Sequence, residues 1–514
     1  ELRLVLLFDP RLLDFVGNDA LLSLGARCKK LRVLHLIDSE EFNRGRAGEP
    51  EDGPVDAEIG KHGLIGMFQA LPLLEDLAIM LSQNVRDAAL ILEALGTHCK
   101  RLMSLSLSHF QGLCKGPQPD GLAMCSGLTE LVIKNCADLD DIGLSAIATG
   151  NTKLRKLELH CCRGITKDGL HIVTHRLWRT LVDVRVSCCF QLSSIDTLWA
   201  LQPIQGTIEE LHIDCIVDRD FIARQAEIKA MEKHRGPCSS SSDKFQKNST
   251  RCPSPTSCPL SVDVPNSTNG NSASITADKL DVGLIKNKFD SNSPESTVGD
   301  DVIDDIRTPH SAVEIETISK CPCLNPGISD FSLSFCEREW SRLNCLSLWI
   351  PIGELLSPLP EMGLSMCPSL TEIRIKVEGD CRTCPKPNAK LSGLGTFITY
   401  PALSKLILDC SEIVGYALSA PAGHMELSLW ERWYMLGIQQ LPLWELDYWP
   451  PQDRDANRRG ISLPCAGLIS QCLTLRKLTI HGTINEHMLR MFLKTPNLRD
   501  VQLRIDYYPA PEVE

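Results

Sequence analysis

The sequence predicts an α/β solenoid built on one long parallel sheet, and three observations carry that expectation. An apolar frame of the form L-x-x-L-x-L returns thirteen times along the 514 residues. Its step is 26, 26 and 27 residues between Leu102, Leu128, Leu154 and Leu181. Five residues after the middle apolar position, three successive units carry a cysteine: Cys136, Cys162 and Cys189. A period of roughly 20–29 residues on such a frame is that of a leucine-rich repeat, in which each unit is a short strand, a turn and a returning helix. The expected architecture is a horseshoe, with the parallel sheet on the concave side and helices outside.

The elements follow in order. Leu2, Leu4 and Leu6 alternate as in a strand already under way at Glu1. The frame then runs from Leu31/Leu34/Leu36 through Leu74/Leu77/Ile79, Leu102/Leu105/Leu107, Leu128/Leu131/Ile133, Leu154/Leu157/Leu159 and Leu181/Val184/Val186 to Ile208/Leu211/Ile213. It returns at Leu343/Leu346/Leu348, Leu370/Ile373/Ile375, Leu403/Leu406/Leu408, Leu441/Trp444/Leu446, Leu475/Leu478/Ile480 and Leu498/Val501/Leu503. One unit cannot bury its own apolar face, but stacked neighbours share a continuous core. After Cys136 and Cys162 the spacing repeats as C-x-x-Leu139 then Gly143-Leu144, and C-x-x-Ile165 then Gly169-Leu170, which places a turn and a helix start at the same offset. A thiol there packs as a small apolar group. His160-Cys161 taken alone offers no second ligand pair for a zinc ion, so these cysteines read as structural and no metal is expected.

Three segments are expected: repeats over 1–218, a disordered insertion over 219–325 and further repeats over 326–514. The insertion is dense in Ser, Asn, Asp, Pro and Lys, as in "PCSSSSDKFQKNST", with too little apolar surface to offset the entropy of ordering. A short helix is expected at its start, from Ile222 to Arg235. A second, smaller insertion lies between Asp38 and Lys61. The later repeats are longer, 33, 38 and 34 residues from Leu370 to Leu403, Leu441 and Leu475, so extra residues must bulge from loops or lengthen helices.

Composition narrows the function classes. The net charge is -12, which argues against nonspecific binding to nucleic acid or an anionic membrane. No apolar run reaches the length that spans a bilayer. The 23 cysteines are spaced along the chain as thiols of a reducing compartment, not as a small secreted disulfide framework. Asn248 and Asn266 begin N-x-S/T triplets of the kind that polar tracts produce by chance. Cys381-x-x-Cys384 and Cys321-x-Cys323 could share a zinc ion only if the insertion folded back. No nucleophile elbow, Walker loop, dinucleotide fingerprint or H-E-x-x-H is present, and no catalytic residue or cofactor is expected.

A leucine-rich array instead offers the alternate strand positions, which point away from the core. Those are Lys134, then Lys156, Glu158 and His160, then Arg374 and Lys376, then Lys405 and Asp409. The densest set comes last and is the expected partner-binding site: Glu445, Asp447, Lys477, Thr479, His481, Asp500, Gln502 and Arg504. Mixed, closely spaced charge suits a specific protein partner better than a phosphate ligand.

The cysteine-type repeat resembles that of F-box leucine-rich-repeat proteins. "PLWELDYWPPQDRDANRRGISLP" (Pro442 to Pro464), "LRKLTIHGT" (Leu475 to Thr483) and "PNLRDVQLRIDYYPAPE" (Pro496 to Glu512) are more specific and are similar to the plant More Axillary Growth / Dwarf type of that family. The resemblance implies a non-catalytic substrate-receptor subunit of an SCF ubiquitin ligase in strigolactone and karrikin signalling, located in the nucleus. It implies a Skp-type linker bound through an F-box, an α/β-hydrolase hormone receptor, and transcriptional repressors as substrates. The F-box and the family's final C-terminal helix are expected to lie outside this chain. Two further readings remain: a plain interaction scaffold, and a small-molecule co-receptor of the auxin-receptor type. The latter would need a cationic cluster drawn from Lys134, Lys156, Arg185, Arg374, Lys376 and Lys405.

Overall fold

A computed structural model describes residues 1–6, 16–38, 56–114, 116, 120–216, 340–353, 363–364, 367–382, 393–419 and 426–504. The whole insertion expected over 219–325, with the helix expected within it, Cys321, Cys323, Asn248 and Asn266, lies outside the described residues, as do Cys384 and 39–55 of the smaller insertion.

The described strands join into one sheet of 16, parallel except for a small hairpin. In chain order they are β1 (Leu2–Leu6), β2 (Val33–Asp38), β3 (Asp76–Val85), β4 (Ser104–Phe110), β5 (Glu130–Lys134), β6 (Lys156–His160), β7 (Asp183–Ser187) and β8 (Glu210–Asp214). Then come β9 (Cys345–Pro351), β10 (Glu372–Asp380), β11 (Lys405–Gly415), β12 (Glu445–Trp449), the hairpin β13 (Gln452–Asp453) and β14 (Arg458–Arg459), β15 (Lys477–His481) and β16 (Asp500–Arg504). Each main strand pairs with the strand before it, and β12 passes directly to β15. This is the leucine-rich-repeat solenoid that the comb predicts. The frame leucines stack in register, Leu105 on Leu131 on Leu157 on Val184 on Leu211, and each is almost wholly buried. Burying such a side chain contributes about 1.5–3 kcal/mol.

The sheet does not stop at the insertion. β8 pairs with β9 in register, Leu211 opposite Leu346 and Ile213 opposite Leu348. The two runs of repeats are therefore one array, with more than a hundred residues of sequence inserted between adjacent strands.

Helices α1 (Asn18–Arg27), α2 (Lys61–Ala70), α3 (Ala88–His98), α4 (Asp141–Gly150), α5 (Lys167–Arg176) and α6 (Ser194–Ala200) return the chain in the first half. Later come α7 (Leu427–Met435), α8 (Leu463–Ile469) and α9 (Glu486–Phe492). Many begin on a cap that the sequence supplies: Asp140 accepts from Gly143 N, Ser193 from Asp196 N, Ser462 from Cys465 N and Asn485 from Met488 N. The glycine of the Gly-Leu start has a packing reason. Asp141 on α4 accepts from the Thr166 backbone N–H and hydroxyl, and a Cβ at Gly169 would meet that carboxylate at 2.0 Å. Cys136, Cys162 and Cys189 sit in the core as expected, at 0–1% exposure.

Two expectations need correction. The unit read as Leu441/Trp444/Leu446 is shifted by two residues. Leu446 and Tyr448 pair with Leu406 and Leu408, so the frame there is Leu443/Leu446/Tyr448. Trp444 is 55% exposed, whereas Leu443 and Tyr448 are fully buried. The extra length of the later units also does not lengthen the described helices. Among the described residues, part of it bulges from a loop, as expected, in the β13–β14 hairpin, and part goes into longer strands, nine residues in β10 and eleven in β11.

A buried carboxyl ties this irregular part together. Glu431 on α7 accepts from the Tyr448 hydroxyl at 2.5 Å and from the Ser462 backbone N–H at 2.8 Å. Burial pushes its pKa up, and the two hydrogen bonds only partly offset that.

Candidate partner-binding face

Because side chains alternate across a strand, burying the leucines turns the other row to the open face of the sheet. The eight residues expected to bind a partner come together there on three consecutive strands, β12, β15 and β16. A slip of two residues keeps the parity of a strand, so Glu445 and Asp447 remain on the open face despite the corrected frame. Register places Glu445, Lys477 and Asp500 in one row and Asp447, Thr479 and Gln502 in the next.

These side chains pair with one another, across the strands and along them. Lys477 Nζ donates to Glu445 Oε1 at 2.9 Å, and Gln502 Nε2 to Asp500 Oδ2 at 3.0 Å. Arg504 Nη2 donates to Gln502 Oε1 at 3.4 Å, while Asp500 and Arg504 are both exposed. Two of the eight are not surface groups. Thr479 and His481 are each only 4% exposed. The His481 ring stacks on Trp449 with centroids 3.7 Å apart and planes within 9°, and its Nε2 lies 2.9 Å from Asp447 Oδ1. Burial raises the Asp447 pKa, with His481 pulling the other way. The glutamate hydrogen bond raises that of Lys477.

The same ladder extends toward the other end of the sheet. Lys134 pairs with Glu158 at 3.2 Å, Arg185 with Asp183 at 3.1 Å and with Glu210 at 2.9 Å, and Glu372 with both Arg374 at 2.5 Å and Lys405 at 3.2 Å. Burial would raise the Glu158 pKa, but Lys134, Arg185 and Lys156 together outweigh it and the net shift is downward. At the middle lies a shallow pit of about 170 Å³ lined by Arg185, Glu210, His212, Ser347 and Arg374 among others. Burial depresses the His212 pKa to about 4, against a smaller opposite pull from Asp214. His212 Nδ1 lies 2.8 Å from Ser347 Oγ.

The cations that a phosphate-binding co-receptor would need are therefore engaged by carboxylates: Arg185 holds Asp183 and Glu210, Arg374 and Lys405 share Glu372, and Lys376 holds Glu412. Sequence reasoning missed the aromatic component. Trp349 lies under the ammonium of Lys376 at 4.6 Å, and Trp449 under His481. Trp444 stands beside the face with Arg476 5.7 Å from its ring. The signal is in the sequence for Trp349 and Trp449, which occupy outward positions, whereas the L-x-x-L-x-L frame places Trp444 in the core. Among the described residues no helix is long and apolar enough to cross a membrane.

No family model matches the chain. Individual proteins match along its whole length. It is 42% identical to F-box protein MAX2 homolog B of Petunia hybrida, over 100% of this chain and 65% of that protein. It is 39% identical to F-box protein MAX2 of Arabidopsis thaliana, over 99% and 64%. It is 41% identical to the F-box/LRR-repeat MAX2 homolog of Oryza sativa subsp. japonica, over 98% and 59%. The chain thus spans somewhat under two thirds of the length of these relatives. With 39–42% identity along 98–100% of its length, the chain belongs to the family of MAX2-type F-box leucine-rich-repeat proteins.

Proposed function

We propose that this chain is the partner-binding array of a substrate-receptor subunit in an SCF ubiquitin ligase, acting in strigolactone or karrikin signalling. On this reading it performs no chemistry itself. It holds an α/β-hydrolase hormone receptor and, through it, transcriptional repressors, while an F-box elsewhere in the protein holds the Skp-type linker. The observation that supports it most is the whole-length similarity to F-box proteins, joined to an open sheet face lined with paired, alternating charge. Such a face favours specificity and rapid encounter with a complementary protein surface. The reading places the protein in the nucleus.

The test is a pull-down from plant extract with the full-length protein, with and without hormone, read by mass spectrometry. Recovery of a Skp-type linker in both arms, and of an α/β-hydrolase and repressors only with hormone, is the expected result. Recovery of other proteins and no linker would make the chain a plain scaffold. A fluorescent fusion outside the nucleus would remove the proposed location.

A further inference from the structure

His160 and Cys161 lack ligand company in the sequence, but the fold supplies it. Cys188 lies one repeat further on, and one ligand atom from each of His160, Cys161 and Cys188 falls within 4.8 Å of the others. We propose that these three residues form a binding site for zinc on the rim of the open face.

The array builds the cluster by stacking. His160 ends β6 opposite Ser187 at the end of β7. The next residues, Cys161 and Cys188, therefore leave adjacent strands side by side. Both have a left-handed backbone, φ 53°, so both turn out of the strand in the same way. Hydrogen bonds pin each corner. The Cys161 N–H donates to Ser187 O at 3.0 Å, and the Cys188 N–H to the buried Asp214 Oδ2 at 2.8 Å. Ser187 Oγ lies 2.7 Å from His160 Nδ1 and fixes the ring, the kind of outer-shell contact that orients a metal-bound histidine.

The donor set is two thiols and an imidazole, which selects a soft or borderline d¹⁰ cation over calcium or magnesium. Zinc takes such ligands tetrahedrally at about 2.3 Å from sulfur and about 2.0–2.1 Å from nitrogen, which sets its ligand atoms about 3.5–3.8 Å apart. The three atoms here need to draw together by about 1.3 Å or less, within reach of side-chain rotation. Cys188 is buried, while His160 and Cys161 are half-buried, so one side of the triangle opens to solvent and leaves a fourth position for water. On binding, the two thiols release their protons and the zinc–sulfur bonds form, with no oxidant required. A Cys161–Cys188 disulfide is the competing chemistry, but it leaves the oriented imidazole without a role.

The test uses the full-length protein, reduced and metal-free, titrated with zinc against a chromophoric chelator and with cobalt as a spectroscopic probe. The unmodified protein should take up one more equivalent of zinc than the double variant Cys161→Ser/Cys188→Ser. It should also show a thiolate-to-cobalt charge-transfer band that the double variant has lost. His160→Ala, at a half-buried position, keeps the test alive should the double variant fail to fold, and should weaken zinc binding by at least about tenfold. Equal zinc uptake and an unchanged cobalt band in the variants would overturn the proposal. So would a Cys161–Cys188 disulfide in non-reducing peptide maps of protein purified with zinc.

Discussion

At the scale of single residues, parity decides what a substitution costs. Leu157 is 1% exposed and stacks between Leu131 and Val184, so Leu157→Ala opens a cavity between repeats and should destabilise by about 2–5 kcal/mol. Lys156, the preceding residue, points to the open face and holds Asp183 only loosely at 4.0 Å. Lys156→Ala should cost less than about 1 kcal/mol in the same denaturant titration. Equal losses would contradict the assigned register. His212 gives a pH signature. Its folded-state pKa of about 4 lies below the ordinary 6.5, so the folded state binds fewer protons than the unfolded one between those values. Stability is full above about 6.5 and is lost as pH falls toward 4. Melting temperatures should show a slope over that window that His212→Asn flattens. A variant as steep as the parent would show that the ring stays accessible to protons.

At the scale of elements, the comb was legible because repeated leucines leave few alternatives for strand register. It failed once, at β12. There Leu441, Leu443 and Leu446 support two overlapping frames, and an apolar Trp444 satisfies the wrong one. What settles the frame is pairing with β11, which a single strand's pattern does not contain. The correction has a direct consequence. Trp444→Ala should shift stability by no more than about 0.5 kcal/mol, whereas Leu443→Ala, at a fully buried neighbour, should cost about 2–5 kcal/mol. The reverse order in urea titrations would restore the original frame. The site was legible to the same depth. Its face followed from alternation, and all eight positions lie on it. The burial of Thr479 and His481 did not follow; that of His481 depends on Trp449 covering a neighbour 32 residues away. The cluster of His160, Cys161 and Cys188 was missed for the same reason: two of its members are neighbours in sequence, while the third arrives only by stacking.

At the scale of the whole molecule, the central fact is continuity. β8 meets β9 in register across the inserted sequence, so the array needs nothing from that sequence to align its two halves. Deleting 236–311 should therefore leave the melting temperature within a few degrees of the parent. A fall of ten degrees or more would show that the segment packs on the array. Continuity also means that one face runs from the first repeats to the last, and the account assigns binding to its far end. The most direct measurement is hormone-dependent affinity for the hydrolase receptor in the full-length protein, compared between two variants. Asp500→Lys with Arg504→Glu reverses two exposed groups at that end and leaves net charge unchanged. Lys134→Gln alters the same face many strands away, next to Glu158. The account predicts that the double reversal weakens binding severalfold or more with an unaltered melting temperature, while Lys134→Gln binds like the parent. Full binding by the double reversal, with binding lost in Lys134→Gln, would contradict it and move the partner to the first repeats.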